Sequence, residues 1–190
     1  MKDELKKYLE ELSILKGDFT LSSGKKSDYY IDARICTLSS KPLALISKIF
    51  FDLIKKSKST YVGGPTIGAD PIVGGILVCA AEENYNLKGF LVRSIDKDHG
   101  TKKIIEGPTI ENATITLVED VVSTGGSLIK AIDRLENQGL KISSILSIVD
   151  REMNARSKFL ERNISYNPLF TVSELICLLY TSDAADEVDG

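Results

Sequence analysis

The chain has 190 residues, of which 43% are hydrophobic and 27% are charged, and its formal net charge is −3. This balance is typical of a soluble globular protein with one buried core, and it excludes a disordered or fibrous chain. The net negative charge gives no global attraction to nucleic acid or to an anionic membrane, so an anionic ligand needs a local basic cluster. The three cysteines show no metal-ligand spacing, and their odd number argues against a disulfide framework.

The sequence contains no pattern typical of secretion or of membrane insertion. The N-terminal residues are polar and charged, unlike a secretory signal, and the longest apolar stretch, residues 71–81, is too short to cross a bilayer. We therefore expect a cytoplasmic protein with neither a membrane nor a nucleic acid as its partner.

The N-terminal part is predicted to contain two helices separated by a polar segment. Apolar residues at helical spacing predict a first helix that ends before Gly17, and Ser40 is expected to cap a second helix. Between them, residues 18–36 are rich in turn-forming residues, with a short alternating run at 29–32 that could be a strand.

From residue 60 onward, predicted strands alternate with helices. We expect strands at 60–62, 90–93, 115–118 and 142–149, helices at 70–83 and from about 127 to Gly139, and a long loop at 94–107. This alternation predicts an α/β fold built from right-handed βαβ units around a parallel sheet. No linker divides the chain, so residues 1–176 are expected to form a single domain.

The C-terminal end has an unusual composition. Residues 171–174 form a capping box that predicts a last helix, but the sequence from Cys177 onward resembles the translation of a sequencing-library adapter. We therefore expect residues 177–190 to be a non-native tail without a functional role.

The most informative segment is residues 115–127. A predicted buried strand ends in two adjacent carboxylates, Glu119 and Asp120, and a turn of small residues opens directly into a helix. Unpaired N–H groups and hydroxyls at this helix start suit a phosphate, and Gly125 and Gly126 allow its close approach. An ordinary βα turn is the alternative, but the acidic pair favours a ribose 5-phosphate, whose hydroxyls the carboxylates would face.

Two further segments suit a polyanion. The glycine-rich residues 63–68 follow a predicted strand, so their amides could hold a pyrophosphate, although a simple glycine turn is the alternative. The loop that follows Arg93 is basic in an otherwise acidic chain, and its length suits a lid that excludes water. Its alternative is a solvated surface loop with a lone histidine.

Residues 115–127 resemble the signature with which type I phosphoribosyltransferases bind phosphoribosyl pyrophosphate (PRPP). Residues 15–151 as a whole resemble the orotate phosphoribosyltransferase family: 17–32 are similar to its orotate-side segment, 63–71 to its pyrophosphate loop and 96–107 to its mobile catalytic loop. This resemblance implies a mostly parallel five-stranded sheet flanked by helices, with a small N-terminal hood. It also implies transfer of the 5-phosphoribosyl group of PRPP to orotate, which gives orotidine 5'-monophosphate and pyrophosphate in UMP biosynthesis.

The resemblance further assigns roles to individual residues. Lys97, His99 and Asp120 are expected to be catalytic. The residues expected to bind PRPP are Arg93, Lys97, His99, Glu119, Asp120, Val121, Val122, Ser123, Thr124, Gly125, Gly126, Ser127, Gly64, Pro65 and Thr66. The candidates for binding orotate are Ser123, Arg151, Lys25 and Lys26. Ser94 stands where the family commonly has a second basic residue, which leaves one pyrophosphate contact without a counterpart.

The family also implies Mg²⁺, held mainly by PRPP and water, and a homodimer whose lid loop acts in the neighbouring site. Two alternatives remain: a type I transferase acting on a purine or on uracil, and a non-catalytic regulator that senses PRPP. The orotate-like segment 17–32 argues against the first, and the presence of Lys97 and His99 argues against the second.

Overall fold

The computed structural model describes residues 1–20, 26–93 and 104–176. The predictions for Lys25, Lys97, His99 and the tail 177–190 therefore concern positions outside the described residues. The helices are α1 (Lys2–Tyr8, continued by a π-helical turn at Leu9–Ser13), α2 (Arg34–Thr37), α3 (Ser40–Ser57), α4 (Ala69–Glu82), α5 (Gly126–Glu136) and α6 (Ala155–Leu160). The strands are β1 (Ile14–Thr20), β2 (Lys26–Ile31), β3 (Tyr61–Pro65), β4 (Lys88–Val92), β5 (Ile105–Glu106), β6 (Ile115–Val122), β7 (Ile142–Asp150) and β8 (Ser165–Thr171).

The described strands form one large sheet in the order β5-β4-β3-β6-β7-β8. The five strands from β4 to β8 in this order run parallel, and β5 alone pairs antiparallel with β4. The predicted mostly parallel α/β fold is confirmed, but the count of five strands is wrong by one. The additional strand is β5, whose two residues lie within the segment predicted as loop; it forms because it covers the open edge of β4.

A hydrophobic core lies on each face of the large sheet. Helices α3 and α4 pack on one face, where Ile46, Phe50 and Ile72 are fully buried. Helices α5 and α6 cover the other face with Leu128 and Phe159. Because successive residues of a strand point to opposite faces, the largely buried strands β6 and β7 contribute to both cores.

The N-terminal hood consists of the antiparallel hairpin of β1 and β2, in which Ile14 pairs with Ile31, and of residues 32–34, which directly follow it. Directly after the hairpin, the Asp32 amide donates a hydrogen bond to the Ser13 carbonyl oxygen (2.9 Å), which fixes the direction of the chain there. The chain thereby enters α2 at a fixed position above the large sheet. The hairpin thus delivers residues 32–34 to the functional region described below.

The helix termini differ in how well they were predicted. The residue that precedes α3 is Ser39 rather than Ser40, and its hydroxyl donates to the Ile35 carbonyl oxygen (2.6 Å) instead of capping the new helix. The capping box at the C-terminal end is confirmed, since the Thr171 amide donates to Glu174 Oε2 (2.7 Å) and the Glu174 amide to Thr171 Oγ1 (3.2 Å). Within the part of the chain that is described, no helix is both long and apolar enough to traverse a bilayer.

Candidate active site

A polar cleft of about 440 Å³ opens where the carboxyl ends of β3 and β6 face the hood. In a parallel sheet, the loops that follow the carboxyl ends of neighbouring strands converge, and ligands bind there. The cleft is lined from the sheet side by Asp120, Ser123 and Arg151, and from the other side by Gly68 and Arg34. Residues predicted from three separate segments therefore meet in one place.

The acidic pair at the end of β6 divides into a buried and a half-buried carboxyl group. The side chain of Glu119 is only 5% exposed and accepts a hydrogen bond from Ser127 Oγ (3.2 Å). Burial first, and then repulsion from the neighbouring Asp120, raise the pKa of Glu119 from its ordinary value of 4.5 to about 8. Asp120 lines the cleft, and its Oδ1 accepts the Val121 amide hydrogen (2.6 Å).

The predicted phosphate loop is a tight turn between β6 and α5. Gly125 precedes the helix with a φ of +76°, a conformation that favours glycine, and the eleven-residue helix begins at Gly126. A Cβ atom on Gly125 would also lie 2.9 Å from Cζ of Phe159, so α6 closes the back of the turn. The turn, whose Ser123 lines the cleft, and the first N–H groups of α5 after it are thus fixed by packing from behind, as an anion site requires.

Lys158 is a basic residue beside this loop that the sequence did not single out. Its Nζ donates to the Thr124 carbonyl oxygen (2.8 Å), although the two residues are 34 positions apart. Helix α6, which carries Lys158, was not predicted, and this explains why the contact was missed.

The predicted pyrophosphate loop follows β3 and is packed tightly against its neighbours. The Thr66 amide donates to the Val92 carbonyl oxygen (3.0 Å), which ties the loop to the end of β4. A Cβ atom on Gly64 would lie 2.2 Å from the Val118 carbonyl oxygen. At Gly68, the N-terminal cap residue of α4, a Cβ atom would lie 2.7 Å from both Asp120 Oδ1 and Glu119 Oε1. The acidic pair and the loop are therefore in direct contact through glycine.

Arg93 lies at the end of β4, but its guanidinium group does not line the cleft among the described residues. Its Nη1 forms an ion pair with Glu106 Oε1 (3.1 Å) on β5, and its amide donates to the Ile104 carbonyl oxygen (3.0 Å). The Arg93 carbonyl oxygen in turn accepts a hydrogen bond from Arg134 Nη1 on α5. The predicted contact of Arg93 with PRPP stays a prediction.

Of the candidates for binding orotate, Ser123 and Arg151 line the cleft together. The Arg151 amide donates to the Val122 carbonyl oxygen (2.8 Å), which places Arg151 beside the start of the phosphate loop. Among the described residues, Arg34, Arg93 and Arg162 form ion pairs with carboxylates, whereas Arg151 forms none. Lys26, by contrast, is exposed at the start of β2 and does not line the cleft.

The hood contributes a pair of charged residues that the sequence did not predict. Arg34 Nε donates to Asp32 Oδ1 (2.8 Å) and Arg34 Nη2 to Asp32 Oδ2 (3.0 Å), and both residues line the cleft. The hydrogen bond from Arg34 lowers the pKa of Asp32, and the same bond raises the pKa of Arg34. Their position at and just after the end of the orotate-like segment 17–32 was the available indication.

Within residues 1–20, 26–93 and 104–176, no three or more side chains of the types His, Cys, Asp and Glu are grouped so as to hold a metal ion. The Asp120 carboxylate does lie beside the two glycine-rich loops. Oxygen groups of this kind suit Mg²⁺ that arrives bound to a substrate and keeps part of its water shell.

Comparison with known proteins places these features in a family. A family model for the phosphoribosyl transferase domain matches residues 45–172. An orotate phosphoribosyltransferase of Tropheryma whipplei (strain Twist) is 38% identical over 177 residues, which cover 93% of this chain and 83% of that protein. A crystal structure of orotate phosphoribosyltransferase from Mycobacterium tuberculosis H37Rv with Fe(III) dicitrate is 30% identical and superposes with a TM-score of 0.79, covering 92% of this chain and 98% of the other. A structure of the M. tuberculosis enzyme in complex with PRPP is 28% identical, with a TM-score of 0.75 over the same shares of both chains.

Proposed function

This chain belongs to the orotate phosphoribosyltransferase family and is a pentosyltransferase that forms orotidine 5'-monophosphate and pyrophosphate from PRPP and orotate; we propose that the cleft between the hood and the sheet is its active site. The observation that carries this assignment is the convergence of Asp120, Ser123 and Arg151 in one cleft. Asp120 suits the sugar and Ser123 belongs to the loop that suits the phosphate. Arg151, which forms no ion pair with another described residue, suits the anionic base.

PRPP is proposed to bind along the two glycine-rich loops. The amides and hydroxyls of residues 123–127 hold its 5-phosphate at the start of α5, and the loop of Gly64, Pro65 and Thr66 holds its pyrophosphate. Glu119 and Asp120 lie between the two loops, where the ribose hydroxyls would lie. The tight packing of Gly68 against both carboxyl groups supports this arrangement, because it leaves little freedom for the acidic pair to turn away.

Orotate is proposed to bind between Ser123 and Arg151. The carboxylate of orotate is negatively charged and requires a cation. Of the two arginines that line the cleft, Arg34 forms an ion pair with Asp32, whereas Arg151 forms none among the described residues. A guanidinium group can hold a carboxylate through two parallel hydrogen bonds.

In the proposed reaction, N1 of orotate attacks the anomeric carbon as pyrophosphate leaves, through a sugar with cationic character. Mg²⁺ would be held mainly by PRPP and water beside Asp120, and when bound it would supply positive charge that offsets the charge on the pyrophosphate. Asp120 orients the ribose hydroxyls and offsets positive charge on the sugar. Lys97 and His99 of the loop after Arg93 stabilise the departing pyrophosphate in a site from which water is excluded.

We also propose that the protein works as a homodimer in which Lys97 and His99 reach the neighbouring active site. The side chains of Leu38 and Ile67 are 76% and 70% exposed and, with Ile35, line an apolar groove next to the cleft. Exposed apolar surface of this kind is commonly buried in an interface. We propose that a second copy of this chain covers this groove.

We further propose that residues 1–176 form a single domain and that the protein is cytoplasmic.

The experiment that tests the function is a spectrophotometric assay of orotate consumption on addition of PRPP and Mg²⁺. We expect the absorbance of orotate to fall, and the fall to stop when EDTA is in excess. Turnover with hypoxanthine or uracil but not with orotate would contradict the substrate assignment. Binding of PRPP without turnover of any base would instead favour the regulator.

A further inference from the structure

Arg34 is a residue of the cleft to which neither the family resemblance nor the proposed mechanism gives a role. It belongs to the hood, whereas Asp120, Ser123 and Arg151 belong to the sheet, and all four line the same cleft. Its side chain is 48% exposed, so its position there does not follow from burial in the core. The carboxylate of Asp32, and more weakly that of Asp120, attracts the guanidinium group and raises the pKa of Arg34.

Asp32 holds the guanidinium group of Arg34 in one orientation. The carboxylate accepts from Nε (2.8 Å) and from Nη2 (3.0 Å), and its Oδ1 also accepts the Arg34 amide hydrogen (3.1 Å). An arginine carries five N–H groups, and this side-on pairing uses two of them. The end-on edge, with one N–H group of Nη1 and the second of Nη2, remains for an acceptor in the cleft, because Asp32 is the acceptor of this guanidinium within the described part of the chain.

The two arginines of the cleft therefore differ in charge. Arg34 is neutralised by Asp32, whereas Arg151 forms no ion pair with another described residue. An anionic group is attracted more strongly to the guanidinium group of Arg151 than to that of Arg34, whose charge Asp32 offsets. The fixed N–H groups of Arg34 suit a neutral carbonyl oxygen as acceptor. The pair thus offers two different recognition groups within a single cleft.

Orotate presents two different groups beside its reacting atom. N1 is flanked by the ring carbonyl at C2 on one side and by the carboxylate at C6 on the other. When N1 faces the sugar near Asp120, both flanking groups must be received in the same cleft. Resting on the function proposed above, we propose that Arg34 is a specificity-determining residue that donates to the C2 carbonyl oxygen of orotate, while Arg151 receives the carboxylate.

Steady-state kinetics of Arg34→Ala with orotate and PRPP test this role. Removal of a charge-assisted hydrogen bond raises the KM for orotate by roughly 10- to 100-fold, and the KM for PRPP stays unchanged. Arg162→Ala is the matched control, since Arg162 also forms an ion pair, with Asp133 (2.7 Å), but lies outside the cleft. An unchanged KM for orotate in Arg34→Ala, or an equal rise for orotate and PRPP, overturns the proposal.

Thio-substituted substrates separate recognition from a merely structural role. Sulfur accepts hydrogen bonds weakly, so 2-thio-orotate should be a poorer substrate than orotate for the wild type. Arg34→Ala should no longer discriminate between orotate and 2-thio-orotate. Its discrimination between orotate and 4-thio-orotate should equal that of the wild type. If the penalty for 2-thio-orotate is the same in both proteins, Arg34 does not contact this carbonyl. Should Arg34→Ala fail to fold, Arg34→Gln is used in the same comparison, with thermal unfolding as the check. If the wild-type protein never forms orotidine 5'-monophosphate, the proposed function is refuted. If the wild type is active but 2-thio substitution lowers the activity of wild type and Arg34→Ala by the same factor, only the role of Arg34 is refuted.

Discussion

Ser127 donates its hydroxyl hydrogen to the buried carboxyl group of Glu119 across the turn between β6 and α5 (Oγ–Oε2 3.2 Å). The first turn of the phosphate-binding helix is thereby joined to the acidic pair. Burial dominates the electrostatics of this contact, and the pKa of Glu119 rises to about 8 although the hydrogen bond from Ser127 acts in the opposite direction. At neutral pH the substrate-free protein therefore holds Glu119 largely in its neutral form.

This raised pKa predicts how the stability of the substrate-free protein depends on pH. Below about pH 4.5, Glu119 is protonated in both the folded and the unfolded chain, so its ionisation does not lower the free energy of unfolding. Between its ordinary pKa of 4.5 and about 8, Glu119 ionises in the unfolded chain only. The contribution of Glu119 to the free energy of unfolding therefore falls as the pH rises through this window. We expect Glu119→Gln to gain stability relative to the wild type from pH 5 to pH 8, measured by urea unfolding without ligands. A stability difference that is constant over this range would contradict the prediction.

Gly68→Ala is expected to damage PRPP turnover without unfolding the protein. The added methyl group would meet Asp120 Oδ1 and Glu119 Oε1 at 2.7 Å, so the carboxyl groups must move away from the ribose site. Displacing catalytic groups by about 1 Å can lower the rate on the order of 100-fold, and we expect a loss of this order in kcat/KM for PRPP. Gly74→Ala in the same helix is the control, because a methyl group there has no atom within 4 Å and should leave the kinetics unchanged. Equal kinetics for the two variants would exclude this positioning role.

Lys97→Ala and His99→Ala are expected to lower kcat far more than they weaken PRPP binding. Charge on the pyrophosphate grows mainly in the transition state, and loss of one stabilising donor typically costs on the order of 10²–10³ in rate. If the loop acts in the neighbouring subunit, then mixing inactive Lys97→Ala with inactive Asp120→Asn protein restores part of the activity. Mixed dimers then contain one site with both groups intact. Verified heterodimers without recovered activity would show that the loop serves its own subunit.

Two buried serines predict opposite effects on stability. Ser47 on α3 is 1% exposed, and its Oγ has no hydrogen-bond partner among the described residues. Ser47→Ala should therefore raise the free energy of unfolding by about 1 kcal/mol, because it removes an unsatisfied polar group. Ser59 is also fully buried, but its Oγ bonds with Thr116 Oγ1 (2.6 Å), so Ser59→Ala should lower it by about 1–3 kcal/mol. Urea unfolding of both variants decides this, and a shift of the same sign in both would contradict it.

The sequence by itself determined the parts of this protein whose chemistry is contiguous along the chain. Residues 119–127 carry the carboxylates, the glycines and the start of the helix within nine positions, and the strand before them is mostly apolar. Local burial patterns and turn residues are enough to predict such a segment, because strand, turn and helix each impose their own periodicity. The alternation of strands and helices likewise determined the α/β class and the parallel sheet.

Only the tertiary structure decided which distant residues meet. Strand β5 was missed because two residues have no periodicity, and their pairing depends on the exposed edge of β4. Glu106 as the partner of Arg93, and Lys158 beside Thr124, depend on the register of elements far apart in sequence. The position of Arg34 in the cleft also depends on the tertiary structure. An arginine after a polar hairpin has no distinctive sequence pattern, and the packing of the hood against the sheet decides where its side chain lies.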